Sequence, residues 1–450
     1  MKKSALLLIL LFSTFSAFSQ YIEGKIFDVK TNEPIEGVHV YLKKTGKGNL
    51  TDRNGEYFLK IGPKVKTNDT IFISHVSYKT VALPYVKGKN EYSVYLFPEI
   101  NKLDEVNIIN QRRLQPTIKY HTLASMKNAI HSFGSTLIDD KIYVIGGDAS
   151  FEHNEFKKLM DYDPENALGV FMRKGGNHNW ESYKGDLLLY DIKLNTWETI
   201  TKPKFRKRAY HNLNTFDNKI YVLGGKRLAK NKKHEYLDDK IEVFDLENNA
   251  ITVDDTNPHQ AVDFASFVYK DNIIVMGGSV KKNKLDVKKY TDKVHLYDIK
   301  SGYWYQLDSM PVAKETQGVL INDKIYLIGG FNKKALSTIE SFDLVSRKWK
   351  NEGELFEGIS KPAVTSNNNI IYFFDDGKIS TYNVITKELN VYLIDLYLKS
   401  AKLYFKDNTL YILGGYKETS YSVFPSNELF SIGINEFDNT KVNKSKMFLH

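Results

Sequence analysis

Along this chain, short alternating apolar runs end repeatedly in the same way. Lys141–Gly147 (KIYVIGG), Lys219–Gly225 (KIYVLGG), Asn272–Gly278 (NIIVMGG), Lys324–Gly330 (KIYLIGG), Ile370–Asp376 (IIYFFDD) and Thr409–Gly415 (TLYILGG) each read as a buried strand closed by a two-residue bend. Ile, Val and Tyr suit a sheet packed on both faces. A glycine pair permits a backbone bend and close approach of a neighbouring strand. Asp375 and Asp376 hold the place of the glycines in the fifth run, so a different bend is expected there.

A second landmark follows each bend. Tyr190 and Trp197, Tyr297 and Trp304, and Phe342 and Trp349 share one spacing. The matching places elsewhere are read as Phe244 and Ile251, Tyr382 and Leu389, and Phe430 and Phe437. Between each pair lies a polar turn, as in Asp191–Asn195 (DIKLN), which reads as a hairpin. From Gly224 to Gly277 to Gly329 the interval is 53 and then 52 residues, close to a period of about 50. One such four-strand unit cannot bury both faces alone, so a closed ring is the stable form. The fold class expected is all-β, a six-bladed β-propeller preceded by a small β-sandwich. Tyr120–Met126 (YHTLASM) matches Trp304–Met310 (WYQLDSM), so the N-terminal piece is expected to supply the outer strand of blade six.

Two landmarks in register over residues 117–440 resemble the kelch repeat: strand, Gly-Gly, variable loop, aromatic, six residues, Trp. The family's Arg-x-x-His entry to a first strand matches fully at Arg208–His211. Residues 20–110 have another texture. Tyr21–Asp28, Gly37–Leu42, Gly55–Ile61, Thr70–His75 and Tyr92–Phe97 read as short strands of a β-sandwich. With Pro34–Val40, Thr51–Tyr57 and the closing Leu103–Ile108, this part resembles the carboxypeptidase-regulatory-like, transthyretin-like domain. That module often precedes outer-membrane receptors or surface enzymes, which implies a Bacteroidetes-type envelope protein. Residues 111–116 read as a linker and 441–450 as a C-terminal tail.

Residues 1–19 read as a signal peptide: Lys2 and Lys3, an apolar Ala5–Phe12, then small Ala17 and Ser19. An exported protein is expected, periplasmic, outer-membrane-associated or extracellular. No transmembrane segment is read, and a peripheral association with the outer membrane stays open. The chain has no cysteine, which removes disulfides, thiolate metal sites and Cys nucleophiles, and with them the thioether copper site of kelch-type galactose oxidases. No cofactor is expected. A formal charge of +9, mostly lysine, reads as a solvated basic surface rather than a nucleic-acid site.

Candidate chemistry sits in loops. Blade one carries a long insertion, roughly Asp148–Asp186, holding His153, Glu155, His178 and Trp180. Trp180 offers a platform for a sugar ring, and His178 stands beside it. Asp161, Asp163 and Glu165 alternate as weak calcium candidates. Arg208, Tyr210 and His211 enter blade two near the expected channel mouth, where a guanidinium could hold a carboxylate bidentately. The function expected is an exported binding protein whose propeller face recognises an envelope protein or glycan. The alternative is a periplasmic sugar mutarotase of the sialic-acid type, implied by the kelch resemblance, with Arg208 on a carboxylate and His211 as acid or base.

Overall fold

The computed structural model describes residues 20–43, 47–62, 65–99, 114–174, 178–180, 182–230, 234–254, 256–282 and 288–448. The expected signal peptide, residues 111–113 of the expected linker and the Leu103–Ile108 match lie outside the described residues. Two compact units divide after Gln111. Among the described residues no helix is long and apolar enough to cross a membrane.

The front unit is a sandwich of two sheets. One orders Glu56–Lys60, Tyr21–Asp28 and Val94–Leu96; the other orders Lys47–Leu50, His39–Leu42, Thr70–His75 and Tyr78–Pro84. Alternation along each strand sends Ile22, Ile26, Val40, Ile71 and Ile73 into one core, all fully buried. Tyr57 adds a hydroxyl bond to the Tyr92 carbonyl at 2.9 Å. The strands at Lys47–Leu50 and Tyr78–Pro84 were not expected: the first is short and carries a glycine and a lysine.

The second unit is a ring of six antiparallel sheets. Blade one orders Gly134–Ile138, Lys141–Ile145, Leu187–Asp191 and Thr196–Ile200 from inside to outside. Blades two, three and four repeat that order from Asn212, Ala265 and Gly318. The paired aromatics face each other directly across the third and fourth strands. Ring centroids are 5.1 Å apart for Tyr190 and Trp197, 5.0 Å for Tyr297 and Trp304, and 4.8 Å for Phe342 and Trp349. Each such pair adds about 0.5–1.5 kcal/mol beyond its buried area.

Blade six is closed by the N-terminal segment. Its outer strand is His121–Thr122, paired to Phe430 and Ser431. The register corrects one landmark: Leu410 faces Ile432, so Ile432, not Phe430, holds the place of Tyr190. Phe437 lies in a short helix, Glu436–Asn439, and packs edge-on to Tyr392 at 5.0 Å. The segment read as a tail includes a strand, Lys444–Met447, that adds a fifth strand to blade five.

Blade five also bends one residue later than the aspartate pair implied. Asp375 stays in the strand opposite Lys378, and Asp376 and Gly377 take the positive φ angles of 37° and 84°. Asp-Gly with both residues left-handed is the favoured two-residue hairpin turn. It joins the second and third strands with no further loop. The other five blades place the left-handed pair at Gly-Gly. At Gly225 an added Cβ would lie 2.5 Å from the Ala209 carbonyl oxygen, so only glycine fits that corner.

Candidate binding face and central channel

The loops between second and third strands share one face with the corners that lead into each inner strand. Blades two and three raise hairpins on it, Lys226–Leu228 with Glu235–Leu237 and Ser279–Lys282 with Lys288–Tyr290. The blade-one insertion forms two helices, Glu155–Tyr162 and Ala167–Lys174, and a strand pair, Phe151–His153 with His178–Trp180. That pair joins Ser422–Pro425 and Tyr416–Glu418 of blade six in one four-stranded sheet. His153 fixes the junction: Nδ1 lies 2.6 Å from Ser422 Oγ and Nε2 lies 2.8 Å from Glu155 Oε2. Blades six, one, two and three therefore wall this face, and blade five leaves it open.

At the channel mouth the chain turns into the inner strands through left-handed corners. Ser132, Tyr210, Asp263 and Ser400 have φ between 50° and 62°. Aspartate and serine tolerate such a corner; a bulky tyrosine does so only when its surroundings hold it. Tyr210 donates its backbone N–H to the Ser132 carbonyl at 2.6 Å and its hydroxyl to Asp148 Oδ2 at 3.2 Å. The Lys226 ammonium lies 4.5 Å from its ring centroid and Lys361 5.6 Å. Burial and the neighbouring Asp148 keep the Tyr210 phenol protonated, well above its usual range.

Across the mouth, Lys361 Nζ meets Asp263 Oδ2 at 2.6 Å and lies 3.8 Å from Glu315 Oε2. Glu315 also takes Lys288 at 2.7 Å and the Ser279 hydroxyl. Burial works to raise the Asp263 carboxyl, yet Lys361 beside it holds it below the ordinary carboxylate range. Burial likewise pulls on Lys361, and Asp263 and Glu315 hold it above the ordinary lysine value. His131 is shifted down by burial, against the pull of Asp148.

From this mouth a groove of about 350 Å³ runs outward over blade five. Lys361, Ser400 and Tyr416 stand at its inner end, Asp375 and Asp376 along it, and Phe356, Val391 and Lys444 at its outer end. Phe356 carries the Lys446 ammonium 4.4 Å above its ring. Burial, then the neighbouring Asp376, raises the Asp375 carboxyl to about 6. The nearby lysines are taken elsewhere: Lys378 by Glu357, and Lys399 by Glu418 at 2.6 Å.

Of the residues expected at the site, Tyr210 reaches the mouth. Arg208 does not. Its side chain is fully buried, with Nη2 2.5 Å from Glu242 Oε2, Nε 3.3 Å from Asp238 Oδ2 and Nη1 3.3 Å from the Gly224 carbonyl. His211 is sealed between blades one and two, its Nε2 accepting the Gly134 N–H at 3.2 Å. Burial and Arg208 push it well below the usual histidine range, so it stays neutral and out of reach of solvent. His178 and Trp180 lie on the insertion strand; their side chains are outside the described residues. The structure does not bring the three calcium candidates to one point. Asp161 lies in the last turn of a helix, Asp163 caps its end and accepts from Asn166 at 3.2 Å, and Glu165 lies exposed in the turn. Among the described residues no three His, Cys, Asp or Glu side chains converge on one point.

Sequence reasoning missed the Lys361–Asp263 pair and the Asp375 groove. The signal for the second was present in the Asp376-Gly377 turn. The first joins blades three and five and has no local sign.

The family comparisons match both parts of the chain. Residues 170–375 match the model of the KLHDC2/KLHL20/DRC7 Kelch-repeats domain, and residues 22–108 that of the CarboxypepD_reg-like domain. It is a kelch-repeat protein. Kelch-like protein 40 of Xenopus laevis is 25% identical over 365 residues, 70% of this chain and 58% of the relative. This kelch chain thus spans less than two thirds of that relative's length. TonB-dependent receptor P39 of Formosa agariphila is 31% identical over 108 residues, 23% of this chain and 10% of the receptor. The solved structure of YjhT superposes with a TM-score of 0.51 at 13% identity, covering 68% of this chain and 95% of that one. At that identity the likeness shows the propeller fold alone. The open face over blade five is where this propeller differs from an evenly walled ring.

Proposed function

We propose that the loop-bearing face of the propeller binds a protein or glycan partner at the cell envelope, with the groove over blade five as its seat. One observation carries this reading: the face is walled on blades six, one, two and three and open where the groove leads from the mouth. A partner seated there meets an aromatic at each end, Tyr416 and Phe356, and charges of both signs between them. Aromatic anchors ringed by polar groups are what concentrates binding energy at interfaces. The signal-like first residues support export, and the front domain's resemblance supports an envelope location. A sugar-ring-opening enzyme on this scaffold would have to take its acid and base from the mouth, because Arg208 and His211 are sealed away from it.

A glycan array and an envelope pull-down with the whole chain, run beside Phe356→Ala and Tyr416→Ala, test this. The reading expects a partner whose affinity falls about tenfold or more in either variant, as for anchor residues. Binding that neither variant weakens sinks it.

A further inference from the structure

The inner strands of all six blades open on one shaft of about 290 Å³. Its wall is polar, with Ser135, Thr136, Ser266 and Gln317 among its residues. Two lysines, Lys361 and Lys402, line it with one carboxylate, Asp263. The repeat register explains how Lys402 comes to be there. Gly134, Asn212, Ala265 and Ala363 stand opposite the fifth residue of the second strand, at Ile145, Leu223, Met276 and Phe374. In blade six that place, opposite Leu413, belongs to Lys402. Glycine or alanine at three of the matching positions, Gly134, Ala265 and Ala363, leaves room for its long side chain, while blade four places Gln317 there.

The charges do not balance. Asp263 is already engaged by Lys361 at 2.6 Å. Among the described residues no hydrogen bond or ion pair forms to the Lys402 amine. Burial lowers its proton affinity, Asp263 works against that and Lys361 adds to it. An ammonium held out of bulk water without a counter-ion is costly, and an anion beside it removes that cost.

We propose that the propeller shaft is a binding site for one small oxyanion, such as phosphate, sulfate or a carboxylate, held by Lys402 with Lys361 at its mouth side. The shaft meets the groove over blade five at Lys361 and Ser400, which line both, while Lys402 lines the shaft and not the groove. Shaft hydroxyls and the Gln317 amide supply further donors.

Isothermal titration of the whole chain with inorganic phosphate, against sodium chloride at equal ionic strength, reads the site directly. The proposal expects saturable binding of one phosphate. Lys402→Met should weaken it at least tenfold. Asp263→Asn should tighten it, because it removes the one carboxylate that lines the shaft and competes for Lys361. No saturable heat in the wild type, or an unchanged titration in Lys402→Met, overturns the proposal. Should Lys402→Met fail to fold, Asp263→Asn still decides: unchanged or weaker binding there also overturns it.

Discussion

The guanidinium of Arg208 lies 2.5 Å from Glu242 Oε2, sealed inside blade two. Blade four repeats the arrangement with Lys314 and Glu340, at the same register positions. In both, the cation also donates to the carbonyl of the first glycine of the bend, Gly224 at 3.3 Å and Gly329 at 2.9 Å. Blade three does it with an imidazole, His259 Nε2 lying 2.8 Å from the Gly277 carbonyl and Nδ1 2.8 Å from His295 Nδ1. The bend turns a backbone carbonyl inward, and a buried donor must satisfy it. Arg208→Ala removes that donor and leaves the buried Glu242 without its cation, while Arg206 and Arg227 still reach Asp238. The expected loss is about 3–5 kcal/mol of unfolding free energy in urea. Partner affinity per folded molecule should not change. Full stability with lost affinity would restore Arg208 to the site.

Lys361 and Asp263 join blade five to blade three across the mouth, with only 25% and 12% of their side chains exposed. Lys361→Met strands a carboxylate and should cost about 3 kcal/mol, much of it recovered in Lys361→Met/Asp263→Asn. The sign of the pH dependence follows from both shifts. Asp263 is held below its ordinary value, so its contribution is present above that value and lost as pH falls through the folded one. Lys361 is held above 10.5, so its contribution is present below that and lost as pH rises through the folded value. Urea midpoints should therefore show a cost that is flat from about pH 5 to about pH 9. A cost confined to one side of neutrality would mean the pair is not the source.

Asp375 behaves in the opposite sense from Asp263. Its carboxyl is raised from an ordinary 3.8 to about 6, so the folded chain holds that proton more tightly than the unfolded one. Stability is then lost as pH rises from the lower value through the higher, and stays lost above it. Asp375→Asn should leave stability near pH 3.5 unchanged. At pH 8 it should raise it by about 1–2 kcal/mol, since a tenfold change in proton affinity is about 1.4 kcal/mol and solvent in the groove screens part of it. A destabilised variant at pH 8 would show that Asp375 has a cation partner.

Gly225 has φ 83° and an Ala209 carbonyl in the place of any side chain. Gly225→Ala should lower the thermal midpoint by several degrees, through at least about 1 kcal/mol of strain. An unshifted midpoint would mean the corner opens freely.

The ring was legible because its signals are local and repeated. Each strand-bend-strand unit carries its own alternation and its own glycine pair, and the Tyr–Trp spacing fixes the hairpin register. Register is lost where the repeat loosens: the spacing points to Phe430 where the structure has Ile432, and to a blade-five turn one residue before Asp376-Gly377. The site was far less legible. Arg208 reads as a mouth residue because nothing local shows that Asp238 and Glu242 close over it. Lys361, Asp263 and Lys402 come from three blades, and only closure of the ring brings them to one shaft. Their sequence neighbours carry no mark of that meeting.

The partner-binding face can be tested by placing a photo-crosslinkable phenylalanine analogue at Phe356, beside the groove. The control is the same analogue at Ile385, in the hairpin tip at the opposite end of blade five. Both side chains are exposed, 37% and 65%. A discrete adduct in envelope extracts from position 356, and none from 385, is the expected result. Equal labelling at both positions, or an adduct at 385 alone, would contradict a binding surface on the loop-bearing face.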